Sequence, residues 1–382
     1  MPAVQRKPVL LYLVTEDWYF WSHRLAIARA ARDAGWEVLV ATRVQAHGER
    51  IRQEGLRLIP IGMRRRSLAP WREARTIAEL IRIYRRERPD LVHHVAVKPV
   101  LYGSLAAAIS GVPAVVNALA GMGYVFTSSG LKARVLRPLL RAGFRRLLER
   151  RGSRLILQNP DDVAAMTKGT VTAERVALIR GSGVDTQTFR PREEPEGTPV
   201  AVMVSRMLWD KGVGELVEAA RLLRARQVPL RMVLVGPPDP DNPASITERQ
   251  LRDWDAAGHI AWWGERSDVA GIWANSHIAV LPSYYGEGVP KALLEAAACG
   301  RPMVATDVSG CREIVRDGVT GLLVPPRDAE RLAQALERLA RDRDLRRRLG
   351  AAARDLVERE LSEELVVAQT MALYRSLVPG AR

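Results

Sequence analysis

The sequence predicts an α/β protein of two doubly wound domains, each a parallel sheet covered on both faces. Three observations lead there. Apolar runs of strand length alternate with segments of helical period, the alternation breaks at a charged stretch containing Pro and Gly, and it then restarts. The length of 382 residues suits two domains of roughly 150 residues or more each.

In the first half "PVLLYLV" reads as a strand, Arg24 to Gly35 as a helix, "EVLVAT" as a strand and Trp71 to Arg88 as a helix. "DLVHHVAV" is the next strand, Val100 to Gly111 a helix and "PAVVNAL" a strand, followed by "RLILQN" and "RVALIRGSGVDTQTFRP". "REEPEGTP" reads as a linker near residues 190–198. The second half runs "VAVMVS", a helix from Gly214, "LRMVLVG", a helix around Ser245 to Asp255, "HIAWWG", "HIAVLP", a helix from Val289, "PMVAT" and "GLLVPP". The expected division is residues 1–190, 191–362 and a terminal helix in 363–382 that returns to the first domain. Ligands of such sheets bind outside the carboxyl ends of the strands, so two such domains facing each other would share a cleft.

A hydrophobic fraction of 47% and a charged fraction of 26% are those of a globular protein. No run approaches the roughly 20 apolar residues of a membrane span, and "MPAVQRKPVLLYLV" shows no cleavage pattern, so a cytoplasmic protein is expected. Two cysteines, Cys299 and Cys311, form neither a disulfide framework nor a metal pair by spacing. The net charge of +15 is unevenly placed: residues 1–190 hold 32 Lys and Arg against 15 Asp and Glu, and the remainder 26 against 28. The excess in the first half points to an anionic partner. Nucleic acid is not expected, since no recognised binding module accompanies the charge.

The loop after the first strand, "VTEDWYFWSHR", lacks glycine and excludes the dinucleotide fingerprint; no P-loop occurs either. In "SRMLWDKGVGEL", Arg206 and Lys211 flank a turn into a helix, where a diphosphate would meet two cations and helix N–H groups. An ordinary loop with surface charges is the alternative. In "YYGEGVPKALLEAAACGRP", Glu287 falls in a loop and Glu295 in a helix, with seven residues between them. Glu295 sits among Leu293, Leu294, Ala296, Ala297 and Ala298, where a carboxylate needs a polar partner: a vicinal diol or a basic side chain.

"SRMLWDKG", "WWGERSDV", "LPSYYGEGVPKALLEAAACGRPMVATDVSGCREIV" and "DGVTGLLVPP", in this order, resemble the retaining nucleotide-sugar glycosyltransferases of family 4, which have the GT-B fold. The resemblance implies that Arg206 and Lys211 hold the donor diphosphate and that Glu287 contacts the transferred sugar. It implies that Gly288, Val289 and Pro290 lie close to donor sugar and phosphate, that Glu295 binds the ribose, and that Gly264, Glu265 and Arg266 line the base. It implies no metal and no cofactor, the nucleotide sugar being substrate, and a UDP-hexose or UDP-N-acetylhexosamine donor is expected. "EDWYFWSHR" and "NALAGMGYVFTSSG" resemble bacterial members that build glycans on undecaprenyl diphosphate, so a polyprenyl-linked acceptor is expected. A GT-B epimerase or hydrolase without lipid acceptor is the alternative.

Two departures bear on the first domain. The glycine pair that many members carry in the first loop is absent, and Ala120 stands where many have His. Acceptor-side candidates are His94, Lys98, Trp18 and Tyr19. His93 and His94 have a core reading as well, and the aromatics a packing one. "PSYYGEG" is one residue longer than the usual spacing, beside Tyr285. "LKARVLRPLLRAGFRRLLERRGSRL" predicts an amphipathic basic helix, its Arg134, Arg137, Arg141, Arg145 and Arg146 facing the inner leaflet of an anionic membrane. A core helix with a solvated cationic face is the alternative.

Overall fold

The computed structural model describes residues 6–65, 69–121, 143–284 and 286–380. The chain divides into two compact units, Met1–Ser182 with Val366–Arg382, and Gly183–Leu365. In unit 1 the strands are β1 (Val9–Glu16), β2 (Glu37–Arg43), β3 (Arg57–Pro60), β4 (Leu91–Val95), β5 (Ala114–Ala118), β6 (Ser153–Leu157) and β7 (Val176–Leu178). They pair in parallel in the order β3-β2-β1-β4-β5-β6-β7. In unit 2, β8 (Val200–Val204), β9 (Arg231–Val235), β10 (Ala261–Trp262), β11 (Ile278–Leu281), β12 (Met303–Thr306) and β13 (Gly321–Val324) form a second parallel sheet, β10-β9-β8-β11-β12-β13. The strand order reverses between β1 and β4 in unit 1 and between β8 and β11 in unit 2. At each reversal neighbouring loops diverge and open a crevice at the carboxyl edge.

Burial on both faces explains the unbroken apolar runs. Along β1, Leu10, Tyr12 and Val14 enter one core with Trp36 and Tyr374, while Val9, Leu11 and Leu13 enter another with Leu80, Ile83 and Tyr84. The period of two assigns alternate residues to opposite faces. Unit 2 has one continuous core, from Val184 to Leu361.

Three expectations are corrected. The stretch 190–198 is no free linker: Glu194 is ion-paired with Arg346 and with Arg343 (3.3 Å), and Arg301 Nη2 donates to the Arg192 carbonyl (3.0 Å). These contacts hold the stretch inside unit 2, whose boundary falls at Gly183. The helix expected from Ser245 is Glu248–Ala256, started by the Thr247 hydroxyl accepting from the Gln250 N–H (3.2 Å). His94 points into the core rather than to a ligand. Its Nδ1 lies 2.8 Å from Asn117 Oδ1 and its Nε2 3.0 Å from the Tyr84 hydroxyl. The helix Val97–Ser110 approaches so closely that a Cβ at Gly103 would lie 2.6 Å from the His94 ring.

His93 is enclosed too, bonded through Nδ1 to the Tyr374 hydroxyl, which also meets the Tyr12 hydroxyl at 3.0 Å. The helix Glu363–Leu377 thus brings Tyr374 to β1 and β4. Burial lowers the pKa of His94 to about 4 and depresses that of His93 as well. As pH falls below about 6.5 the unfolded chain takes up the His94 proton first, so the stability this residue contributes is lost between that value and about 4. For His94 alone, about 2 kcal/mol is expected to disappear between pH 7 and pH 5. Urea unfolding followed at both pH values checks this, and an unchanged midpoint would contradict it.

Candidate active site

The switch point of unit 2 is built by the loop after β8 and the loop after β11. They touch because residue 212 is glycine. It adopts φ +77°, and a Cβ there would lie 2.1 Å from the Pro282 carbonyl oxygen. Gly212 follows the short 3-10 turn Trp209–Lys211 and starts the helix Val213–Ala225, which fixes Lys211 at the crevice.

Across that contact Lys211 Nζ is ion-paired with Glu287 Oε1. Ser283 Oγ lies 2.6 Å from the same carboxylate oxygen and 3.1 Å from the Asp210 carbonyl, and the Tyr284 N–H donates to that carbonyl at 3.1 Å. Thr306 Oγ1, at the end of β12, donates to the Ser283 carbonyl. The Glu287 backbone is pressed against the short helix Ser309–Arg312, where a Cβ at Gly310 would lie 1.6 Å from the Gly288 oxygen. Glu287 is therefore aimed by neighbours on both sides, and its charge is neutralised by one ammonium.

Gly288, Val289 and Pro290 lead from this loop into the helix Lys291–Ala298, with Pro290 at its N-cap. Glu295 projects from that helix with 7% of its surface exposed. Burial raises its carboxyl pKa, and Lys291, one turn earlier with its Nζ 3.6 Å away, partly offsets this. The basic partner of the sequence reading is thus present, one helical turn from the carboxylate. Arg206 is ion-paired with Asp239, which ties the loop after β8 to the loop after β9. Gly264 turns the chain after β10 with φ +65° and its carbonyl accepts from the Gly236 N–H at 2.7 Å. Glu265 and Arg266 beyond it are exposed. Arg266 borders a cavity of about 300 Å³ with Trp263, Asp268 and Ile272. Cys299 and Cys311 are buried, which raises both thiol pKa values, Cys299 to about 11.

At the switch point of unit 1 the candidates fare differently. Lys98, expected as a phosphate contact, is ion-paired with Glu73 (2.8 Å) and donates to the Arg64 carbonyl (2.7 Å), so its charge is already matched. Trp18 and Tyr19 are half-buried; Tyr19 stacks on His23 with ring centres 4.1 Å apart and packs on the core. Ala120 is exposed just past β5. Arg145 and Arg146 line a cavity of about 680 Å³ with Glu149 and Thr172. Arg134, Arg137, Arg141 and Tyr285 lie outside the described residues.

Residue-type reasoning did not single out four residues here. Ser283 and Gly310 aim Glu287, and Ala96, at the end of β4, holds φ +80° and ψ 162°, a region reserved for glycine. Asp17 accepts N–H bonds from Gln45 (2.7 Å) and His47 (2.9 Å) while its Oδ1 is buried without a partner. The "PS" and "SGC" fragments carried the signal for the first two.

A family model described as "Glycosyl transferases group 1" matches residues 184–356, and one described as "Glycosyl transferase 4-like" matches residues 9–158. Over 369 residues the chain is 27% identical to the N,N'-diacetylbacillosaminyl-diphospho-undecaprenol alpha-1,3-N-acetylgalactosaminyltransferase of Campylobacter jejuni, spanning 93% of this chain and 95% of that one. It is 21% identical to the capsular polysaccharide biosynthesis glycosyltransferase CapM of Staphylococcus aureus, spanning 88% of this chain and 89% of that one. The crystal structure of Anabaena HepE in complex with UDP and glucose has the same fold, with a TM-score of 0.77 at 18% identity and coverage of 97% and 100%.

Proposed function

Because the chain belongs to the family 4 glycosyltransferases with the GT-B fold, we propose that it moves a sugar from a UDP-sugar to a sugar carried on undecaprenyl diphosphate. The transfer proceeds with retention at the anomeric carbon, in bacterial polysaccharide or glycan assembly, and needs no metal. The observation that carries this reading is the Lys211–Glu287 pair at the switch point of unit 2, next to the helix that buries Glu295. The UDP and glucose in the HepE structure support the donor, and the name of the Campylobacter relative supports the acceptor.

Donor binding gives each charge of the site a new partner. Lys211, with Arg206, meets the diphosphate, and Glu287 exchanges the ammonium for sugar hydroxyls. The bond from the anomeric carbon to the phosphate oxygen breaks while the acceptor oxygen bonds on the same face. The acceptor's proton passes to the departing phosphate. Lys211 stabilises negative charge where it develops, which is the cation's part in such a transfer.

Glu295 gains two hydroxyl partners from the ribose, each bond charge-assisted. Glu295→Gln is expected to weaken UDP binding about 10- to 100-fold by calorimetry. Unchanged affinity would remove Glu295 from the nucleotide site. A thermal-shift panel of nucleotide sugars tests the donor, since a ligand that binds only the folded state raises the midpoint. NMR of the product anomer tests retention, and full conversion of UDP-sugar without acceptor would indicate an epimerase instead. No helix among the described residues is long and apolar enough to cross a membrane, and the lipid-linked acceptor is met by peripheral association at the inner face.

A further inference from the structure

The helix Pro70–Glu87 begins with Trp71, which is 73% exposed, the highest value among the large hydrophobic side chains described. A lone exposed aromatic is ordinary; this one stands among cations. Arg64, Arg72, Arg75 and Arg82 line a depression of about 490 Å³ beside it, and Arg65, next to Arg64 in the chain, is exposed. Two acids share the depression with the four arginines, which outnumber them. Glu73 is paired with Lys98 at 2.8 Å, and Glu79 lies 3.3 Å from the Gly62 N–H. No ion pair among the described residues engages Arg64, Arg72, Arg75 or Arg82.

The position of the patch gives it a direction. Helix Pro70–Glu87 starts at the carboxyl edge of the unit 1 sheet, after β3, and Lys98 fastens it to the start of the helix after β4. The patch therefore borders the switch point of unit 1. An indole ring favours the interface of a bilayer, and arginines at that depth meet anionic headgroups.

We infer that Trp71 with Arg64, Arg65, Arg72 and Arg75 is the face by which this protein lies on an anionic bilayer. The inference rests on the lipid-acceptor reading and concerns a surface other than the cationic helix expected from the sequence. The occupant is the headgroup layer, with Trp71 inserted at its level and the arginines on acidic lipid.

The test is co-sedimentation of the full chain with vesicles of phosphatidylcholine containing phosphatidylglycerol, and with phosphatidylcholine alone. Binding is expected only to the anionic vesicles and is expected to fall as salt rises. Trp71→Ala and the double variant Arg72→Gln, Arg75→Gln should each weaken it about tenfold. All three substituted side chains in this comparison are exposed, and UDP affinity, measured on the same preparations, should stay unchanged. The rival cationic surface is sampled by Arg145→Gln with Arg146→Gln, both exposed and lining the cavity of about 680 Å³ with Glu149 and Thr172. Absence of binding, or loss only in that second pair, overturns the inference. UDP affinity decides the donor site separately, so a failed membrane face is distinguishable from a failed transferase reading.

Discussion

Glu287→Gln is expected to lower transfer about 100- to 1000-fold while the folded protein persists. The substitution keeps size and one acceptor oxygen but removes the charge that meets Lys211 and, in the proposed complex, the sugar hydroxyls. Lys211 then remains without its counter-ion at a largely buried position, its side chain 19% exposed, so a modest loss of stability accompanies the larger loss of turnover. Lys211→Ala is expected to act comparably. The two changes together should cost little more than either alone, because the residues act as a unit. Steady-state turnover with donor and lipid-linked acceptor, set beside a thermal midpoint, makes the measurement. Turnover within threefold of the parent in either single variant would sink the site assignment.

Gly310→Ala carries the second large effect, through backbone rather than charge. The added methyl would sit 1.6 Å from the Gly288 oxygen and 2.6 Å from the Glu287 oxygen, both main-chain atoms that cannot swing aside. The loop holding Glu287 must move, or the helix Ser309–Arg312 must lift from it. A cost of about 3 kcal/mol is expected, which for a unit of this size lowers the midpoint by about 6 to 12 °C. Activity should fall further than stability does, since Glu287 loses its aim. A midpoint within 2 °C of the parent, with normal turnover, would show that the contact is slack.

The sheets were legible because parallel strands covered on both faces must be apolar throughout. "PVLLYLV" and "HIAVLPS" admit little else in this setting. The Glu287 and Glu295 pair was legible by spacing, as was the chance of a basic partner: Lys291 precedes Glu295 by one turn. Contacts between residues far apart in the chain were not. Nothing local to Arg206 announces Asp239, and nothing near His93 announces Tyr374. His94 illustrates the limit. A histidine at the carboxyl end of a central strand suits a catalytic role and a core role equally well. Gly103, Tyr84 and Asn117, which decide for the core, come from three other elements. The stretch 190–198 shows the same limit, since its charge and prolines look like a linker until Arg346 closes on Glu194.

The helix Glu363–Leu377 sets an order of events during synthesis. Tyr12 and His93 leave the ribosome early, yet the hydroxyl that joins them belongs to Tyr374, 362 residues after Tyr12. Val366 and Met371 of the same helix fill the core face that Leu10 and Val14 also line. The half of the protein made first therefore waits, with its last helix missing and its buried polar groups unpaired, while the half made second already has its whole sequence. Unit 1 closes its core only once the segment that follows unit 2 has been made.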